Sequence, residues 1–216
     1  DIHHSRQASD AAPRDIDRTA VFLKLETLHS ASRWVERIVS AENPSEDDRH
    51  DASSLQDGLI VFDPEGSLNS LRKRIHPMPD SIRRFLVADA VEHMMKDGCE
   101  IECAKKCALR GDILSARHHL WFLIKHIVNV CLYFNGKYYP GAKNIPAHLS
   151  RCAVLPTDCV QRLTGITLNP DATQAVEECI RLAQEALGLA RDVLPEEQYK
   201  LTFDELEWFN EWDGRL

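Results

Sequence analysis

The chain has 216 residues, of which 44% are hydrophobic and 28% charged, and its formal net charge is −8. This is the composition of a globular protein with its own hydrophobic core, and the acidic balance argues against a nucleic-acid partner. No uncharged apolar run reaches the roughly 18 residues of a membrane span, since Lys125, His126 and Asn129 interrupt the longest one.

The first 75 residues alternate short apolar runs with turn-forming residues. Residues 21–26 predict a short strand, and residues 28–41 predict a helix with one apolar face. Residues 43–54 contain a proline, several acids and no large apolar side chain, which predicts a flexible loop. Residues 59–62 predict a short buried strand that ends in a turn over residues 63–66.

The rest of the chain is predicted to be helical. Ser67 is the expected N-cap of a short helix that continues to Ile75. Further helices are predicted over residues 80–96, 100–109, 112–134, 146–153, 157–163 and 171–193, and a capping box at Thr202 and Glu205 opens a last one. The sequence therefore predicts an α+β fold, with a small α/β region over residues 1–75 and a mostly α-helical bundle over residues 76–216.

The number of cysteines indicates the cellular compartment of the protein. Seven cysteines cannot all form disulfides, so we predict reduced thiols and a cytoplasmic protein. Cys99, Cys103 and Cys107 recur every four residues, which places them on one helical stripe. Three thiolates there could bind a soft metal, but packing in the core is the favoured interpretation because free cysteine is usually buried.

Candidate catalytic residues lie near the start of the chain. Asp15 and Asp17 alternate, so on an extended segment both carboxylates point to the same side. Two such carboxylates can share Mg²⁺ with a triphosphate, and Glu26 would supply a third carboxylate for a two-metal site. A turn near Ser5 would present N–H groups to the phosphates. The alternative is a solvated tail whose acids have no common role.

These residues resemble a known signature. The string Ser5-x9-Asp15-Ile16-Asp17 resembles the Gly-Ser…Asp-x-Asp pattern of the polymerase-β-like nucleotidyltransferase superfamily, with His4 in place of the glycine. Segment 58–71 resembles the strand and turn that link such a core to its helical domain. Segments 109–112, 116–117 and 132–143 are similar to the helical domain of antibiotic-nucleotidyltransferase-like proteins, including the family DUF4037. The resemblance covers roughly residues 58–190.

The resemblance implies an activity and its cofactors. Such a family transfers a nucleoside monophosphate from an NTP, here expected to be ATP, to a small-molecule acceptor with the help of Mg²⁺. It implies that Asp15, Asp17 and Glu26 are the catalytic metal ligands and that Ser5 lies at the phosphate turn. Because few residues precede Ser5, we expect the nucleotidyltransferase core to be incomplete as the sequence is written.

Further nucleotide contacts are predicted in the helical part. Lys125 lies on the longest predicted helix, where it could neutralise triphosphate charge or could be a surface lysine beside a core stripe. The loop at 137–143 contains Tyr138 and Lys143, which could stack on a base and contact phosphate. The alternative for this loop is a rigid connection whose tyrosines pack on the bundle with bonded hydroxyls.

A second class of function stays open at this point. The helical part is also similar to HEPN-like bundles, and this resemblance would make the chain a non-catalytic interaction module or a pseudoenzyme that could form a homodimer. No Arg-x4–6-His pair of the ribonuclease type occurs on a predicted helix, so this alternative predicts binding without metal-dependent turnover.

Overall fold

The computed structural model describes residues 28–41, 44–95 and 100–196, and every regular element within these ranges is an α-helix. The helices in chain order are α1 (Leu28–Ser40), α2 (Glu46–Asp57), α3 (Ser67–Ile75), α4 (Asp80–Met95), α5 (Glu100–Leu109), α6 (Ile113–Phe134), α7 (Ile145–Leu149), α8 (Cys159–Leu168) and α9 (Ala172–Ala190).

The predicted α+β fold, with its α/β region, is wrong for the described part of the chain. Residues 59–62 form no strand there, and Leu59, Val61 and Phe62 are 88%, 83% and 80% exposed. A short apolar run does not define a strand by itself, because a strand also needs a neighbouring edge for its backbone hydrogen bonds. The other predicted strand, residues 21–26, lies outside the described residues.

Helix α2 replaces most of the loop that was predicted over residues 43–54. Ser45 caps it: the Ser45 hydroxyl accepts from the Asp48 N–H at 3.1 Å, and the Asp48 carboxylate accepts from the Ser45 N–H at 2.9 Å. Arg37 on α1 also donates to Asp48, with Nε at 2.8 Å from Oδ2. The helix is thus stabilised by its cap and by an ion pair rather than by a broad apolar face.

The longer predicted helices are confirmed with small shifts at their ends. Asp112 and Asp171 cap α6 and α9 by accepting from backbone N–H groups three residues later. Helix α6 ends at Asn135, followed by Gly136 at φ 68°, as its C-terminal Asn-Gly pair predicted. For α3, Gly66 at φ 69° is the N-cap, and Ser67 is already the first helical residue.

Helix α6 is the centre of the molecule. It packs against α4, α5 and α9, while α1, α2 and α3 pack on one another. Gln56 at the end of α2 joins the two groups, because its amide donates to the Gly136 carbonyl at 2.9 Å and accepts from the Tyr138 N–H at 3.2 Å. The end of α2 and the end of α6 therefore lie side by side.

Candidate functional site

A cluster of polar side chains lies between α2, α4 and α6, in a bundle whose interior is otherwise mainly apolar. We call it the polar cluster, and its members are Glu46 and Arg49 from α2, Asp89 and His93 from α4, and Lys125, His126, Asn129 and Tyr133 from α6. Helical spacing explains it: on α2 and α4 the members are three and four positions apart, and on α6 residues 126, 129 and 133 follow the same spacing with Lys125 beside them, so each helix offers one polar stripe.

Two ion pairs hold α2 over this cluster. Arg49 Nη1 lies 2.7 Å from Asp89 Oδ2, and both side chains are largely buried, at 14% and 19% exposure. Lys125 Nζ lies 2.6 Å from Glu46 Oε2, nearer to solvent. The formal charges of the four side chains cancel, so the cluster can bind a neutral molecule without leaving an isolated buried charge.

The two histidines stack on each other. The rings of His93 and His126 are nearly parallel, with centroids 5.1 Å apart, and His93 Nδ1 lies 2.7 Å from the Asp89 carbonyl oxygen. Burial, with the neighbouring His93 and the charge of Lys125, lowers the pKa of His126 to about 4. His126 is therefore neutral at pH 7 and offers one ring nitrogen as donor and the other as acceptor.

Three polar atoms on α6 have no hydrogen-bond partner within the described ranges. They are His126 Nδ1, Asn129 Oδ1 and the Tyr133 hydroxyl. Arg49 lies beside Tyr133 and favours its ionised form, but burial dominates and raises the pKa of the Tyr133 hydroxyl. Buried polar atoms without partners are rare in folded proteins, and they mark places where something else can bind.

Of the predicted nucleotide contacts, Lys125 belongs to the polar cluster and Tyr138 does not. Lys125 pairs with Glu46 in the first turn of α2, whereas the Tyr138 N–H donates to Gln56 in the last turn. These two positions on α2 are ten residues apart, or about 15 Å along the helix axis. The structure thus does not bring Lys125 and Tyr138 together at one point.

Tyr138 is buried, and its hydroxyl donates to the Ile75 carbonyl at 3.3 Å. This is the alternative given above, in which the loop tyrosine packs on the bundle with a bonded hydroxyl. Tyr138 could stack on a base only if its ring left the core. Lys143 is exposed further along the same loop. The structure describes the two side chains in different surroundings, one in the core and one at the surface.

The predicted catalytic residues Asp15, Asp17 and Glu26, and Ser5 at the expected phosphate turn, lie outside the described residues. Within the described ranges, no group of three or more His, Cys, Asp or Glu side chains is arranged to hold a metal ion. Cys103 and Cys107 are half-buried cysteines on α5, and Cys99 lies outside the described residues.

Most of the polar cluster was missed by the sequence analysis. Lys125 was predicted as a functional residue, but Arg49, Asp89, Asn129 and Tyr133 were not. One signal was present: residues 126, 129 and 133 place polar groups on one face of a helix that is otherwise strongly apolar.

Comparison with known proteins gives one match. Residues 48–144 match the model of a family described as a domain of unknown function, DUF4037. The predicted resemblance to DUF4037 is confirmed for this segment, which runs from α2 to the loop after α6 and contains every member of the polar cluster except Glu46. The search of curated proteins and the search of solved structures found no match. None of the described helices has the length and apolar character needed to cross a bilayer.

Proposed function

We propose that this protein is a nucleotidyltransferase-like enzyme that transfers a nucleoside monophosphate from an NTP, with ATP the expected donor, to a small-molecule acceptor. Asp15, Asp17 and Glu26 would hold Mg²⁺ and Ser5 would lie near the phosphates. The helical bundle would supply the acceptor side of the site. The observation that carries the proposal is that Lys125 lies in a polar cluster inside the segment that matches DUF4037.

The charge of Lys125 supports a role near an anionic reactant. Its ammonium group is bound to Glu46, a largely exposed carboxylate in the first turn of α2. An exposed ion pair of this kind contributes about 0–1 kcal/mol, so a phosphate oxygen could replace Glu46 at small cost. The small charge-balanced cluster fits a small-molecule acceptor better than a nucleic acid.

Isothermal titration with ATP and Mg²⁺ tests the proposal on the full chain. We expect binding by the natural sequence, loss of binding in Asp15→Ala/Asp17→Ala, and retained binding in the matched control Asp10→Ala. Absence of binding by the natural sequence, or equal binding by all three proteins, would exclude the proposed metal site.

The segment after α2 favours a second candidate function. Leu59, Val61 and Phe62 are exposed on the described surface, and clusters of exposed large apolar side chains are typical of contact surfaces. A HEPN-like interaction module or pseudoenzyme, including a homodimer, would use such a segment. Light scattering over a concentration series tests it: Phe62→Ser would reduce an observed oligomer, whereas Leu168→Ser, at an equally exposed site on α8, would not.

A further inference from the structure

The polar face of α6 contains most of the buried side-chain polar atoms that have no hydrogen-bond partner among the described residues. Asn129 is only 4% exposed and Tyr133 is fully buried, yet Asn129 Oδ1, the Tyr133 hydroxyl and His126 Nδ1 have no hydrogen-bond partner there. Asn129 Oδ1 and His126 Nδ1 lose their bonds to water on folding without a replacement, and the Tyr133 hydroxyl gains only the neighbouring Arg49, without a well-formed hydrogen bond. A face with no function would be more stable with apolar residues.

The covering element over this face can be displaced without exposing a large apolar area. The first part of α2, residues 46–53, contains no large apolar residue, and its buried side chains are Asp48, Ala52 and Ser53. Leu55, nearer the other end, is only half-buried. Because hydrophobic burial scales with apolar area, lifting this half of α2 loses little hydrophobic stabilisation, and its main cost is the opening of the Arg49–Asp89 ion pair.

The unpartnered atoms define the chemistry of a ligand. Asn129 Oδ1 can only accept, so the ligand must donate a hydrogen bond, while the Tyr133 hydroxyl and a neutral His126 can accept or donate. The surrounding ion pairs cancel in charge, so the ligand needs no net charge. His126 and Tyr133 are seven residues apart, or about 10 Å along the helix, which is the scale of a sugar-sized molecule.

We propose that His126, Asn129 and Tyr133 form a binding site for a small hydroxyl-bearing molecule, neutral or with one amino group, which enters beneath the first half of α2. This inference rests on the proposed function in one respect, which is that the bound molecule is the acceptor of the nucleotidyl transfer. Binding itself requires neither ATP nor the N-terminal acids.

Saturation-transfer NMR on the full chain, with myo-inositol and glucosamine as separate probes, tests the site. At least one probe is expected to receive saturation from the protein, and Asn129→Leu should weaken binding about fivefold or more, as expected for a lost hydrogen bond. Gln161→Leu, at an exposed position on α8, is the control that should retain the signal. Absence of signal with both probes, or an unchanged signal in Asn129→Leu, would overturn the proposal.

Thermal unfolding without probe gives a second, independent result. Tyr133→Phe removes a buried hydroxyl that lies beside Arg49 without a well-formed hydrogen bond, and it should raise the unfolding midpoint by about 2–4 °C. Tyr138→Phe removes a hydroxyl that donates to Ile75 and should lower the midpoint. A lower midpoint in Tyr133→Phe would mean that other groups already satisfy this hydroxyl, and would overturn the site.

The two proposals fail separately. If probe binding is absent while Asp15→Ala/Asp17→Ala still abolishes Mg²⁺–ATP binding, the acceptor site is wrong and the nucleotidyltransferase proposal stands. If probe binding depends on Asn129 while no variant binds ATP, the site stands without the enzyme.

Discussion

Arg49 of α2 and Asp89 of α4 form an ion pair that joins two helices distant in sequence, with Nη1 and Oδ2 at 2.7 Å. Both side chains are largely shielded from water, so removal of one partner leaves a charge that is buried and uncompensated. We expect Arg49→Met or Asp89→Asn alone to lower the free energy of unfolding by about 2–3 kcal/mol. Chemical denaturation measures this difference.

A double-mutant cycle isolates the interaction itself. The coupling between Arg49 and Asp89 should be about 1–3 kcal/mol, since the two groups are in direct contact. The control pair is Arg181 and Glu178 on α9, 2.9 Å apart and more exposed, where a coupling below about 0.5 kcal/mol is expected. Equal coupling in both pairs would show that burial does not strengthen the contact between α2 and α4.

His126 should make stability depend on pH. Its pKa is about 4 in the folded protein, below the ordinary value of 6.5, so the unfolded chain takes up a proton more readily between those values. Stability is therefore fully present above pH 6.5 and falls as the pH is lowered towards 4. The shift corresponds to about 3 kcal/mol at most, since one pKa unit equals 1.36 kcal/mol.

Substitution separates this contribution from the carboxylates that titrate in the same range. Asp89, Glu46, His93 and Lys125 face His126, and all of them remain in a His126→Gln variant. The loss of stability between pH 7 and pH 4.5 should be smaller in His126→Gln than in the natural protein. His118→Gln, at an exposed ring, should keep the original slope, and identical slopes in all three proteins would contradict the assigned role.

The elements that the sequence predicts well are those whose signals are local. Helices α6 and α9 have an apolar stripe and an aspartate at the N-cap, and α6 also has an Asn-Gly end, so both could be placed from the chain alone. Helix α2 lacks that stripe. It depends on the bond from Arg37 in α1 to Asp48. These two residues are eleven positions apart, so their contact produces no helical periodicity in the sequence.

The candidate site also combines residues that have a local sequence signal with residues that have none. The spacing of His126, Asn129 and Tyr133 is visible in the sequence as a polar interruption of an apolar helix. Arg49 and Asp89 could not be found in this way, because each is an ordinary charged residue until the fold brings it to its partner forty positions away. A polar cluster built from three helices is a tertiary feature, and local patterns specify only one stripe of it.

Gln56 should be important for the junction between the two helical groups. Its amide nitrogen lies 2.9 Å from the Gly136 carbonyl oxygen, and its side-chain oxygen accepts from the Tyr138 N–H. Gln56→Met keeps the volume but removes these two bonds and the 3.1 Å contact of Gln56 Nε2 with His76 Nδ1, and it leaves a backbone donor and acceptor unpaired, so we expect a loss of about 2–3 kcal/mol in unfolding free energy. A Gln56→Met variant as stable as the natural protein would show that water replaces these bonds.

Asn135 is the C-cap of α6 and binds the loop between α7 and α8. Its amide nitrogen donates to the carbonyls of Cys131 and Val154, both at 2.7 Å, and its oxygen accepts from the N–H groups of Ala153 and Val154, at 2.9 and 3.0 Å. Asn135→Ala removes all four bonds at a partly exposed site, where water can satisfy some of the freed groups. We therefore expect a loss of about 1–2 kcal/mol in unfolding free energy, not the sum of four bonds.

The location of the effect distinguishes this role from general destabilisation. Hydrogen exchange in Asn135→Ala should accelerate at Ala153 and Val154, while the amides in the middle of α6 keep their protection, because local openings need not involve the core. Asn135→Asp is the informative companion: it preserves the oxygen that accepts from Ala153 and Val154 but removes both donated bonds. Protection at Ala153 and Val154 should therefore survive in Asn135→Asp and be lost in Asn135→Ala, and equal exchange in the two variants would mean that the backbone, rather than this side chain, fixes the loop.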